Sequence, residues 1–127
     1  SEQAKSYPGV IIMLTEGHHA ALLFDIYQQK LSEAPSALIS LSAFMDDQAT
    51  SLHSAKQLAQ IDLPVLDLYL RTDHGQIKHA AKLRKKQVNQ ELKSYFRQKE
   101  LFNSRTGYYP HATLNKEIIG WLKSMGW

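Results

Sequence analysis

The side chains able to do chemistry are gathered in three short stretches. Glu16-Gly17-His18-His19 follows an apolar run, Asp73-His74 follows another, and His111 closes Tyr108-Tyr-Pro-His. A carboxylate that fixes an imidazole tautomer, beside an imidazole that takes a proton, makes an acid–base pair, and Asp73 with His111 are the candidates. The plainer use for Asp73 is to hold its own turn or cap the helix after Gly75, and for His111 to sit on a surface loop. A second chemistry would draw His18, His19 and His74 with Glu16 or Asp73 around a metal, since imidazole and carboxylate suit zinc and related ions. Adjacent residues on a helix point about 100° apart, so His18 and His19 are poorly placed for one ion. No metal and no cofactor is expected. The chain has no cysteine, which excludes thiol catalysis, disulfides and Cys-ligated zinc.

These groups need elements to position them. Val10 to Leu14 is an unbroken apolar run and is expected to be a fully buried strand in the middle of a sheet. Thr15-Glu16-Gly17 turns the chain, and a helix from His18 to Leu31 carries Ala20, Leu23, Phe24, Tyr27 and Leu31 on one face. Glu33-Ala-Pro-Ser36 stops it. A second strand covers Ala37–Ala43. Asp46 and Asp47 suit the N-cap of a helix ending near Gln60, which buries Leu52, Ala55 and Ala59.

The third strand is Leu63–Leu70, with Pro64 tolerated at its start. After the polar turn Arg71–Gly75, a helix over Gln76–Lys93 turns Ile77, Ala81, Val88 and Leu92 inward. Its basic run, Lys78, Lys82, Arg84, Lys85, Lys86 and Lys93, reads as a solvated face because no aromatic residues interleave it. A fourth strand near Phe96–Phe102, a loop over Asn103–Pro110 and a helix over Leu114–Met125 complete the chain. Asp67, alone in an apolar strand, needs a partner. Lys116 or Lys123 of the last helix is the expected one. Trp121, Trp127, Tyr108 and Tyr109 read as packing around that helix.

The 127 residues suit one domain, residues 1–127, and 43% apolar content is that of a globular chain. A formal charge of +3 is too small to indicate nucleic acid. No apolar run approaches the roughly 18 residues of a membrane span. The first residues lack an export signal's basic and apolar regions. The sequence does not begin with Met, which suggests a processed product or a shortened piece of a longer protein.

Strands alternating with helices in the order βαβαβαβα imply a three-layer α/β fold on a four-stranded parallel sheet. Right-handed crossovers on strands in sequence order put three helices on one face and leave only the last helix for the other. The order 2-1-3-4 would cover both faces more evenly. Because parallel sheets need both faces covered, the first topology calls for a partner: the protein's own N-terminal half, or a second copy forming a homodimer.

The strand, turn and helix of Val10–Phe24, the strand Leu63–Leu70 ending near Asp73, and Tyr108–His111 before a final amphipathic helix resemble the C-terminal half of an α/β-hydrolase fold. More narrowly, Leu63–Tyr69 with Ala80-Ala81-Lys-Leu-Arg84 resembles an uncharacterised bacterial family, domain of unknown function 3530. The resemblance implies a hydrolase-like fold, often exported or periplasmic in Gram-negative bacteria, with no established activity. An active elbow reads Gly-x-Ser-x-Gly. Here it reads Thr15-Glu16-Gly17-His18-His19, with Gly17 where the attacking residue belongs. The expectation is therefore a non-catalytic binding or structural module with Glu16, Gly17, His18, His19 and His74 at its ligand edge, where a small molecule could sit. The alternative is an esterase-like hydrolase with Asp73 and His111 as acid and base, whose nucleophile is unrecognised or lies outside the chain.

Overall fold

The computed structural model describes residues 10–102 and 108–127. Eight elements alternate: β1 Ile12–Glu16, α1 Gly17–Gln28, β2 Ala37–Leu41, α2 Gln48–Gln60, β3 Val65–Leu70, α3 Gly75–Glu91, β4 Phe96–Leu101 and α4 His111–Ser124. The four strands are parallel and lie in sequence order. The alternative order 2-1-3-4 is not adopted.

The sequence order has the predicted consequence. Leu38 and Val65 pack with Phe24, Leu58 and Val88 of α1, α2 and α3 in one apolar core. Alternation along the strands sends Ile39, Leu66, Leu68 and Leu70 the other way, onto Trp121 and Ile118 of α4. The sheet is thus the middle of three layers, with three helices on one side and α4 on the other.

Val10–Leu14 departs from expectation. These residues are 38–50% exposed, because β1 is an edge strand with β2 as its one neighbour among the described residues. An apolar run shows that a strand tolerates burial; how many neighbours it has is decided by topology. By contrast β2 is buried along its whole length.

Several boundaries also move. Helix α1 ends at Gln28 and Lys30 takes a left-handed φ of 57°, so Leu31 falls outside the helix and is exposed. Leu92, expected inward, is the left-handed C-cap of α3 and is exposed. Helix α4 starts three residues early, after Pro110 at its N-cap, which puts His111 on the first turn of a helix. Of the expected loop, Asn103–Gly107 lie outside the described residues.

Asp67 points towards α3, away from α4. Ser40, Asp67 and Gln98 are in register across β2, β3 and β4 and form a polar rung inside the apolar layer. Arg84 Nε donates to Asp67 Oδ2 at 2.7 Å, Ser40 Oγ to Asp67 Oδ1 at 2.7 Å, and Gln98 Nε2 to Asp67 Oδ2 at 2.9 Å. Both Asp67 and Arg84 are fully buried. Arg84 therefore leaves the solvated basic run and becomes a core residue, and neither Lys116 nor Lys123 serves Asp67. A buried carboxylate is tolerable only with this degree of pairing and hydrogen bonding.

Candidate functional site at the carboxyl edge of the sheet

In a parallel sheet the turns leaving the C-terminal strand ends collect on one edge, and ligands of such folds bind there. Here three of those turns, together with the approach to α4, bring together Glu16, Gly17, His18, Ser42, Phe44, Asp46, Asp73, His74 and Tyr109.

Gly17 opens α1 directly after β1 with φ +62°, a left-handed conformation that glycine adopts without penalty. A Cβ at this position would meet nothing within 4 Å, so the space above the turn is open. Glu16 is the extended N-cap of α1 and makes no side-chain capping bond.

Ser42, one residue beyond β2, lies beside this turn, since Glu16 is in register with Leu41. Its φ is +52°, and an L-residue held there costs roughly 1–3 kcal/mol unless its surroundings enforce it. The surroundings are specific. Ser42 N–H donates to the Leu68 carbonyl at 2.7 Å, and Ser42 Oγ donates to Asp73 Oδ2 at 2.7 Å. Tyr109 Oη lies 2.5 Å from Ser42 Oγ and 3.3 Å from the Leu68 carbonyl oxygen. With the serine proton given to Asp73, the phenol supplies the proton shared between Ser42 Oγ and Leu68. Burial, foremost, holds the Tyr109 phenol well above its ordinary range. The Ser42 hydrogen bond works the other way, and the charges of Asp73, Asp67 and Glu16 add to the rise. Arg84 braces the same loop, its Nη1 donating to the Ala43 carbonyl at 2.7 Å.

Asp73 Oδ2 also accepts from the Leu70 backbone N–H at 2.7 Å, which closes its own turn. His111 is exposed at the start of α4. Among the described residues, no hydrogen bond or ion pair joins His111 to Asp73.

Of the other candidate histidines, His18 and His74 both reach Phe44 but are differently engaged. His18 Nε2 is 2.8 Å from Asp46 Oδ1 and its ring centroid is 4.3 Å from that of Phe44. His74 meets Phe44 edge-on at 5.2 Å. His19, the next residue round the helix, is exposed. Among the described residues no group of three or more His, Asp or Glu side chains is arranged to hold a metal ion. The physical reason is that Asp46 takes His18, Phe44 takes His74 and Ser42 takes Asp73.

Asp47, not Asp46, caps α2, accepting from Thr50 N–H at 2.8 Å. A cleft of about 280 Å³ opens beside it, bordered by Asp46, Gln48, Gln76 and His79. Sequence reasoning missed Ser42 and took Tyr109 for packing. Ser42 was counted inside an apolar strand, and a left-handed serine has no sequence signature. The signal that existed was position: Ser42 follows the end of β2, on the edge where Asp73 was already placed.

Fold and edge together define a three-layer parallel α/β protein whose polar side chains converge on one end of the sheet. Within that class, the family model described as "Protein of unknown function (DUF3530)" matches residues 1–124, and the chain belongs to that family. Comparisons with curated proteins and with solved structures gave no match.

Proposed function

We propose that this domain is a hydrolase-like module that has lost its attacking residue and works by binding or by structural support, as the C-terminal portion of a longer protein. Gly17 carries the reading. It stands in the left-handed turn between strand and helix, where an elbow nucleophile would stand, and it has no side chain. The occupancy of Asp73 supports it: the carboxylate is taken by Ser42 and by the Leu70 amide. The open turn above Gly17, flanked by Ser42, His18 and Phe44, is the proposed seat of a small ligand. The edge of β1, unpaired among the described residues, is where a further strand joins, from the protein's own N-terminal half or from a second copy.

One observation favours a second reading. Ser42 has the strained φ and the carboxylate neighbour of an activated hydroxyl, so it is the unrecognised nucleophile of an esterase-like site if there is one. In that reading Asp73 is the acid of the site, and His111 serves as base only if it swings in from α4.

Turnover of short-chain p-nitrophenyl esters separates the two. The binding reading expects no rate above buffer for the parent chain, for Ser42→Ala or for Asp73→Asn. Gly17→Ser, which adds a hydroxyl into open space, should also stay inactive for want of a paired imidazole. Turnover in the parent that both Ser42→Ala and Asp73→Asn abolish would overturn the binding reading and establish the second.

A further inference from the structure

Charge is unevenly spread over this chain. Nine of the fifteen Lys and Arg residues lie between Arg71 and Lys99, with two of the twelve Asp and Glu. A net +3 therefore hides one strongly basic side, and α3 is its centre. On that helix Arg84 turns inward to Asp67, and Lys78 meets Glu100 of β4 at 3.5 Å. Lys82, Lys85 and Lys86 are exposed and, among the described residues, enter no hydrogen bond or ion pair. Glu91, the only carboxylate of α3, stands nine residues after Lys82 and so on the opposite side of the helix.

Spacing extends this stripe to the end of the helix. Lys78, Lys82, Lys85, Asn89 and Leu92 follow at intervals of four, three, four and three, which keeps them on one side over about 21 Å. Leu92 closes the stripe and, at 85%, is the most exposed large apolar side chain described. It is also the left-handed C-cap of α3, φ 55°, a place usually given to glycine or asparagine. A leucine there accepts backbone strain, and at that exposure packing offsets little of it. Tyr95, three residues on, is 68% exposed and left-handed as well, φ 54°. In the free chain water solvates the lysines, but water gives no reason for Leu92.

We propose that this side of α3 docks on an anionic lipid bilayer, with the lysines among the headgroup phosphates and Leu92 and Tyr95 as the apolar anchor. Three features select lipid over other polyanions. Every exposed cation of the stripe is a lysine, a point charge that suits a diffuse anionic layer. The one arginine, whose planar fork reads phosphates and base edges, is buried. No aromatic side chain interleaves the lysines to stack on bases. An exposed leucine has no use against a nucleic acid backbone, whereas at a bilayer leucine enters the acyl boundary and tyrosine settles at headgroup level. Lys82, Lys85 and Lys86, with Asn89 and Gln90, border an open hollow of about 470 Å³, room for a headgroup phosphate among three ammoniums. Neither Gly17 nor Ser42 belongs to this surface, so esterase turnover would leave it standing.

Sedimentation with vesicles tests this, comparing phosphatidylcholine alone with phosphatidylcholine mixed with phosphatidylglycerol. The chain is expected to sediment with the anionic vesicles only, and less as salt is raised. Each lysine near an anionic surface strengthens partitioning about fivefold. Lys82→Gln, Lys85→Gln and Lys86→Gln combined should therefore weaken it on the order of a hundredfold, with an unchanged circular dichroism spectrum. Because the chain has no cysteine, a polarity-sensitive dye attached at Leu92→Cys reads the anchor directly. Its emission should shift to the blue on anionic vesicles, and that of a dye at Asn115→Cys on α4 should not. A chain that does not sediment with phosphatidylglycerol vesicles in low salt overturns the proposal. So does equal binding to neutral vesicles, or binding that the lysine substitutions leave intact. Binding to a single-stranded oligonucleotide or to polyglutamate as tight as to vesicles, with the Leu92 dye unmoved, would also overturn it, because the stripe would then serve polyanions without a lipid anchor.

Discussion

Ser42, Asp73 and Tyr109 concentrate the costs and the compensations of the carboxyl edge into a few atoms. A strained serine is held by one backbone and two side-chain hydrogen bonds, and its phenol partner is largely withdrawn from water. The phenol carries a pH consequence. Its folded pKa lies above the unfolded value of about 10, chiefly through burial. Below pH 10 both states are protonated and the group contributes no pH dependence. Above pH 10 the unfolded chain releases the proton while the folded one keeps it, so stability falls as pH rises through that window. Tyr27 and Tyr69, also raised by burial, act in the same direction. Lys93 opposes them: burial lowers its pKa, so its contribution to stability rises with pH up to about 10.5. Tyr109→Phe should therefore flatten the alkaline limb of a urea-unfolding series between pH 9 and 11. It should also leave Ser42 one hydrogen bond short at every pH. An alkaline slope unchanged in Tyr109→Phe would show that the other tyrosines carry it.

At the level of elements, the rung of Ser40, Asp67 and Gln98 ties three strands to α3 through Arg84 and through Gln98, whose Nε2 also donates to the Ala81 carbonyl at 2.7 Å. Asp67→Ala leaves the Arg84 guanidinium buried and uncompensated, and loss of one partner from a buried pair costs about 3–5 kcal/mol. Chemical denaturation should show that loss, and adding Arg84→Met to the same chain should recover part of it by removing the stranded charge. A double variant as unstable as Asp67→Ala alone would mean that the carboxylate matters for its bonds to Ser40 and Gln98 and not for its charge. The existence and order of the elements were legible, because apolar runs of strand length alternate with helical spacing and turn residues punctuate both. Arg84 was legible too, had spacing been weighed above residue type: it lies seven after Ile77 and four before Val88, on the inward stripe of α3. The early start of α4 was not, since His111-Ala-Thr gives no apolar periodicity before Leu114. The exposure of β1 was not either, because a sequence records what a strand can bury and does not record how many neighbours it will have.

For the whole molecule, the sequence order of the strands makes the two faces unequal. Three helices share one side, whereas the other depends, among the described residues, on α4 alone. That helix covers Leu66, Leu68 and Leu70 chiefly through Trp121, which is 2% exposed, with Leu114, Ile118 and Leu122 only partly buried around it. Trp121 is the buried residue of that helix and so carries the largest share of the face's protection, with Tyr109 and Met125 also packed against the cluster. Trp121→Ala removes that side chain's transfer energy and opens a cavity, together about 3–5 kcal/mol. On the three-helix side an equivalent gap would be bridged by neighbouring helices; here, among the described residues, no further element lies behind α4. The expected result is loss of stability together with binding of a hydrophobic dye, since undocking of α4 bares the strand residues beneath it. Loss of stability without dye binding would mean that α4 stays docked on its remaining apolar contacts and that the face is held by the helix as a unit.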